Sequence, residues 1–560
     1  MFDLVIRNGT VIDGSGGPRF RGDVGIKGQR IAAVARWPQE LSPDDGPAAA
    51  RRVLDVAARV VAPGFFDIHS HADRGILTNP RAENCLSQGI TSVIGGNCGG
   101  SAAPLNDRMV DRLVAAGREA GREVERADID WRTMAEFLAK VETAGPGVNF
   151  GLFAGQGTVR NFVMGTDARA PSTGELALMQ DEVELAMRGG ALGLSTGRSY
   201  LPGRHAGEDE IVELCAPVAA AGGLYCTHLP SEGAELFEAL EEAFSIGWRT
   251  GLPIQIVHLK VYGKPNFGKA PRALRMIEAA REEGVDVLFD VYPYHFSQIG
   301  TLRRVFGAGL PAGMGPAQAA AELRRPETVG EIVAREVPAV LADRFRLTAL
   351  PVTGILLCGK TPEHPGRCLA EVAAALGHIS APALVVPDGE IARAEYIGGL
   401  IRAAAELYAL NDGAVKVSGQ MDEGEVRLIL RHPLGMFGTD AGVIDGQRDP
   451  QGTVHPRAYG TYPRILGRYV RETGTLGLEE AIRKATSLPA ARVGAAERGL
   501  LKAGKYADIT VFDPSTVIDT ATPDQPLTYS RGIEWVLVNG AVAWDCGVCT
   551  GARSGKVLRF

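Results

Sequence analysis

No block of lysines and arginines occurs anywhere in the chain, and the net charge at pH 7 is −7. A surface that neutralises phosphates needs such a block, so nucleic acid is not an expected partner. Long apolar runs are missing too, none approaching the ~20 residues that span a bilayer. The opening Met1-Phe2-Asp3-Leu4-Val5-Ile6-Arg7 puts an acid where a signal peptide would carry its basic stretch. Neither a membrane span nor a signal peptide is expected. The eight cysteines lack disulfide-framework spacing, which points to a reducing, cytoplasmic compartment. Cys546-x-x-Cys549 has no second pair with which to close a structural zinc site. Between Ala72 and Thr227 only one lysine occurs, Lys140. With 45% hydrophobic and 22% charged residues the chain reads as soluble and globular. Its 560 residues exceed one ordinary domain but suit a large barrel with appended modules.

Residues 1–62 read as a β module, with β-rich runs at Asp3–Arg7, Val24–Lys27 and Ile31–Val34 between glycine-rich turns. Residues 491–560 look similar, with strand-like runs at Ala507–Phe512 and Ile533–Gly540. The simplest expectation is one small β-sandwich built from both termini, with the main domain, 63–490, inserted between them. Two separate β modules are the alternative. Within the main domain eight β-prone runs each end in polar residues: Phe65–Ile68, Thr91–Ile94, Val148–Phe153, Ala191–Leu194, Gly223–Cys226, Ile254–Val257, Val287–Phe289 and Met436–Gly438. Helix-like segments such as Asp181–Arg188 and Leu236–Ser245 lie between several of them. Strands alternating with helices in this number predict an α/β fold, a (β/α)8 barrel of the TIM type. Such a barrel needs about 250 residues. The surplus falls mainly between the seventh and eighth strands, so an insertion at about 310–430 is expected to cover the mouth. Ser42–Arg52 reads as a loop.

In such a barrel the active site is built at the C-terminal ends of the strands. Sorting the chain by that rule collects six metal-type side chains: His69, His71, Cys98, His228, His258 and Asp440. The chain has only ten histidines, and four of them fall at this one place in the pattern. Random placement rarely does that. His69 and His71, spaced i, i+2 at a strand end, face the same way. Imidazole is a common ligand for zinc, copper, iron and nickel. A two-metal site in such a barrel needs an anionic bridge, often a modified lysine on the fourth strand. Lys140 lies in a helix-like segment, whereas Cys98 follows the second strand in Gly95-Gly96-Asn97-Cys98-Gly99-Gly100. A thiolate is a soft ligand that suits zinc. A metal lowers the pKa of water and polarises a carbonyl. Asp440 beside that water would accept its proton and hand it to a leaving nitrogen.

These residues resemble those of the N-acyl-D-amino-acid deacylases, the D-aminoacylases of the amidohydrolase superfamily. The likeness is carried by Gly64-Phe65-Phe66-Asp67-Ile68-His69-Ser70-His71, Asn97-Cys98-Gly99, Gly193-Leu194-Ser195-Thr196-Gly197 and Val257-His258-Leu259-Lys260. Asp290-Val291-Tyr292-Pro293-Tyr294, Phe437-Gly438-Thr439-Asp440, His455-Pro456-Arg457, Lys505-Tyr506-Ala507-Asp508-Ile509 and Gly551-Ala552-Arg553 extend it. It covers nearly the whole chain apart from the region around 310–430. The resemblance implies zinc-dependent hydrolysis of an N-acyl-D-amino acid, a small molecule, to a carboxylate and a free D-amino acid. It assigns the tightly held zinc to Cys98, His228 and His258, and a weaker second position to His69, His71 and Asp440. It assigns Lys260, Tyr200 and Tyr292 to the substrate's α-carboxylate. Selectivity for D over L rests on the resemblance alone.

Three departures bear on specificity. Leu229-Pro230 follows His228 where the family usually has Met-Arg, Gln156 stands where a histidine is usual, and His295–Thr301 replaces a Ser-Ser-Thr run. Arg303 or Arg304 could bind a second substrate carboxylate. Hydrolysis of cyclic amides, or of amides lacking an α-carboxylate, is the competing chemistry. A non-catalytic barrel serving as a scaffold is the competing class, although all six metal-type side chains are retained. The oligomeric state stays open, a homo-oligomer being compatible with the sequence.

Overall fold

The computed structural model describes residues 1–39, 41, 50–119, 124–310, 314–342, 355–358, 361, 364, 366–444 and 453–559. Residues 42–49 of the expected loop at Ser42–Arg52 lie outside the described residues, as does the side chain of Arg304.

Both termini supply a single sheet. Its nine strands run in the order Val548–Cys549, Ala541–Asp545, Ile533–Val538, Ile509–Phe512, Val60–Pro63, Leu4–Val11, Phe20–Lys27 and Arg30–Arg36, with Val53–Asp55 as a further partner of Leu4–Val11. The join between the two ends of the chain is antiparallel, Ile509 lying opposite Pro63 and Phe512 opposite Val60. Branched and aliphatic side chains suit this pleated surface; Ile6, Val24, Ile26, Val61, Ile509, Val511 and Leu537 share one core. The register shifts between Ile6 and Gly9. Asn8 takes up the extra residue with φ 61°, and its N–H is satisfied by Asp23 Oδ1 at 2.9 Å.

The middle of the chain forms two parallel sheets. Phe65–Asp67, Ile90–Gly95 and Asn149–Leu152 make one; Ala154–Gly155, Gly193–Gly197, Leu224–His228, Ile254–Ile256, Val287–Val291 and Gly435–Phe437 make the other. All eight runs read as strands in the main domain coincide with these elements. Helices cover them on one side, so most strand residues are buried on both faces and the runs read as nearly continuous apolar stretches. The sheets touch at two seams. At one, Phe153 N donates to Gly95 O at 3.0 Å and Leu192 N to Leu152 O at 2.9 Å. At the other, Asp440 N donates to His69 O at 2.8 Å and His71 N to Ala441 O at 2.9 Å. The connecting helices start on legible signals. Ser172 caps Thr173–Arg188 reciprocally with Glu175, and Thr133 caps Met134–Ala144 with Glu136.

A separately packed unit lies between the last two parallel strands. Gly300–Thr301, Lys416–Ser418 and Ile355–Cys358 form a small antiparallel sheet. Helices Pro326–Ala342 and Glu390–Leu410 are among those that pack beside it. Its core, with Phe306, Ile332, Leu369, Leu400 and Tyr408, is distinct from the main one. The unit begins near Gly300, and helix Glu423–Arg431 puts Val426, Ile429 and Leu430 into the main core. Amphipathic spacing alone does not say which of two cores a helix faces. Among the described residues, no helix is long and apolar enough to cross a membrane.

Candidate metal centre

Each metal-type side chain sits at or just beyond the C-terminal end of a parallel strand. His228 closes Leu224–His228, and His258 stands two residues past Ile254–Ile256. Four of them, His69, Cys98, His258 and Asp440, each offer one ligand atom within 4.8 Å of the others. Cys98 Sγ lies 3.5 Å from His69 Nε2 and 3.6 Å from His258 Nε2. His228 Nδ1 approaches the same His258 Nε2 to 2.7 Å. His71 Nε2 stands 3.1 Å from Asp440 Oδ1, and His69 Nε2 3.5 Å from it. All six predicted ligands therefore meet in one cluster.

The local backbone is shaped to present them. Cys98, His258 and Asp440 have φ of 55°, 39° and 48°, the left-handed region that side chains with a Cβ seldom adopt. Gly96 and Gly99, with φ of 74° and 75°, bracket Cys98. A Cβ on Gly96 would strike the Phe153 carbonyl. This is why the cysteine is set among glycines.

Burial raises the cost of every charge here, and the neighbours decide the outcome. Desolvation pushes the Cys98 thiol up, but His69 and His258 outweigh it and hold it well below its usual range. Burial likewise opposes ionisation of Asp440, and the Arg457 guanidinium and His69 more than compensate. His71, disfavoured as a cation by burial, is pulled up to about 9 by Asp440 and Cys98.

Three further residues belong to the cluster. Glu232, four residues after His228, lies 2.9 Å from His258 Nδ1 and pairs closely with Lys260. Asp290, 1% exposed, lies 2.9 Å from His69 Nδ1. Arg457 Nη1 is 3.0 Å from Asp440 Oδ2. Asp290 and Arg457 stood inside motifs already noted, and the spacing of Glu232 from His228 was visible. Only the fold, however, reveals which ligand each of them faces.

The three residues assigned to a carboxylate are differently placed. Tyr292 is buried, and two cations approach its ring, Arg457 Cζ at 4.7 Å and Lys260 Nζ at 5.6 Å from its centroid. Its hydroxyl has no protein partner among the described residues. Lys260 is not free, since Glu232 neutralises it and His258 Nδ1 is 2.8 Å away. Tyr200 is 49% exposed and sits at the rim, its ring 4.8 Å from that of His228. Gln156 turns away, donating to Glu210 at 3.0 Å.

The amidohydrolase family model matches residues 52–543. A D-aminoacylase of Alcaligenes xylosoxydans xylosoxydans is 37% identical, covering 100% of this chain and 97% of the relative. The chain belongs to the D-aminoacylase family of amidohydrolases. A crystal structure of D-aminoacylase superposes with a TM-score of 0.75 at 34% identity, covering 100% of both chains. The N-acyl-D-glutamate deacylase of Bordetella bronchiseptica, solved with zinc and a phosphonate mimic of the tetrahedral intermediate, gives 0.73 at 32% identity and the same coverage. Membership in this family accounts for a metal-type donor set at the strand ends.

Proposed function

We propose that the chain hydrolyses N-acyl-D-amino acids to a carboxylate and a free D-amino acid, using zinc. The observation that carries the reading is the pairing of two features in one buried place. A thiolate, imidazole and carboxylate donor set stands beside a tyrosine flanked by two cations, its hydroxyl unpartnered. A carboxylate is the ligand that a phenol O–H, a guanidinium and an ammonium jointly satisfy. That favours substrates with an α-carboxylate over cyclic amides. Arg457 joins Lys260 and Tyr292 in this role, because Glu232 already engages the lysine. Tyr200 would close over the acyl-amino acid from the rim. The preference for the D-enantiomer is taken from the relatives.

The donors fit zinc: a thiolate held ionised by two imidazoles is a soft, anionic ligand. Cys98, His228 and His258 would hold one ion tightly, and His69, His71 and Asp440 a second, weaker one. Bound zinc supplies a Lewis acid that polarises the scissile carbonyl and lowers the pKa of water. Asp440, kept ionised by Arg457, accepts the proton of the attacking water and returns it to the departing nitrogen. The two seams suggest that the parallel sheets close into one (β/α)8 barrel, with the nine-stranded sheet folded over its own core as a sandwich. The free cysteines among the described residues agree with a reducing compartment.

A chiral panel of N-acyl amino acids, assayed beside hydantoins with zinc-loaded and chelated enzyme, tests the reading. Turnover confined to N-acyl-D-amino acids and abolished by chelation is expected. Preferred turnover of cyclic amides would overturn it.

A further inference from the structure

We propose that Asp290 is a positioning residue shared by both halves of the donor set, fixing the ring of His69 and the backbone of His258 at once. The inference rests on the metal reading above. Asp290 comes from Val287–Val291, a strand that carries none of the six ligands. Its carboxylate is 1% exposed and reaches three donors from two other strand ends. Oδ1 lies 2.9 Å from His69 Nδ1 and accepts the His258 backbone N–H at 2.8 Å. Oδ2 accepts from Gln255 Nε2 at 3.0 Å.

Each contact has a chemical consequence. A carboxylate acceptor at Nδ1 calls for the proton there, so the neutral ring carries its lone pair on Nε2, which faces Cys98 Sγ and Asp440 Oδ1, each 3.5 Å away. The bond to the His258 N–H holds a residue whose φ of 39° is otherwise unfavourable. One carboxylate therefore serves His69, from the half with His71 and Asp440, and His258, from the half with Cys98 and His228. There is no room for it to move: a Cβ on Gly438 would lie 3.1 Å from Asp290 Oδ1 and 2.6 Å from His69 Cβ.

Asp290→Asn separates charge from shape. Gln255 Oε1 has no partner among the described residues, so its amide can turn over and accept from the new NH2. The variant then keeps its hydrogen bonds and loses only the charge. Zinc affinity is measured by chelator competition, alongside the melting temperature of the chelated protein. The parent should take up zinc. Asp290→Asn should bind it about 10–100-fold more weakly, with the chelated melting temperature little changed, and Asp290→Ala more weakly still. A purely structural role would instead lower the melting temperature and leave affinity untouched. Parental zinc affinity in Asp290→Asn overturns the inference while leaving the metal reading intact. A parent that takes up no zinc overturns both. Should neither variant fold, nitrogen NMR of the zinc-loaded parent decides: a His69 proton on Nδ1 is expected, and one on Nε2 overturns the assignment.

Discussion

At the N-terminal ends of the parallel strands, Asn149, Arg498, Asp508 and Asn539 form a buried polar cluster in which donors and acceptors match. Asn149 Oδ1 accepts from Asn539 Nδ2 at 2.8 Å and from Lys556 N at 3.1 Å. Its Nδ2 donates to Thr91 O, Ser92 Oγ and Asp508 Oδ2 at 3.0–3.2 Å. Asp508 takes the Asn539 N–H at 2.8 Å and neutralises Arg498. At the other ends of the strands, Cys98 Sγ and ring nitrogens of His69, His228 and His258 crowd together, and among the described residues the Tyr292 hydroxyl has no protein partner. Both clusters are costly to bury. The first is complete in itself and fastens the nine-stranded sheet to the strands. The second, on the function proposed above, is completed by metal and substrate.

The sharpest way to separate the two is to remove one carboxylate from each. Asp440→Asn should lower kcat by about 10²–10⁴, with zinc content largely kept and the melting temperature near that of the parent. Near-normal turnover would sink its role in proton transfer. Asp508→Ala should do the reverse. It strands the Arg498 guanidinium in a buried site, and breaking such a pair costs about 3–5 kcal/mol. Thermal or urea unfolding reads this loss, while kcat/KM of the folded fraction stays unchanged. Equal stability would show that the lower cluster is not the fastening.

A smaller substitution probes the unfinished cluster alone. Tyr292→Phe removes a buried hydroxyl that has no protein partner among the described residues, so stability should be equal or slightly higher. If that hydroxyl binds the α-carboxylate, KM should rise about 10–100-fold, in line with ~1.5–3 kcal/mol for a hydrogen bond to a charged group. An unchanged KM would remove Tyr292 from the carboxylate site.

How much of this was legible in the sequence follows from the same contrast. The six clustered side chains could be picked out because parallel α/β folds gather polar residues at strand ends, and His69, His228 and His258 announce themselves by residue type. The eight strands were legible for a similar reason, as short apolar runs that stop at polar residues. Glu232, Asp290 and Arg457 were not assigned, since each acts through a residue between 17 and 221 positions away. A carboxylate after a strand looks alike whether it pairs with solvent or with a ligand. Lys260 shows the same limit from the other side. Its place in Val257-His258-Leu259-Lys260 was visible, but its neutralisation by Glu232 was not.

Lys484 lies between the two extremes. Its ammonium is fully buried and donates to the carbonyls of Leu430 and His432 at 2.6 and 2.5 Å. Among the described residues no carboxylate pairs with it closely. Burial pushes its pKa from 10.5 down to about 7, against the pull of Glu480. Between those values the unfolded chain binds more protons than the folded one, so stability should rise with pH from about 7 to 10.5 and be flat in this component below 7. Lys484→Met should flatten the rise while leaving zinc affinity and KM alone. Urea unfolding of parent and variant across that window measures it. An identical slope in both would mean that the two carbonyls stabilise the charge as fully as a carboxylate does at the lower cluster.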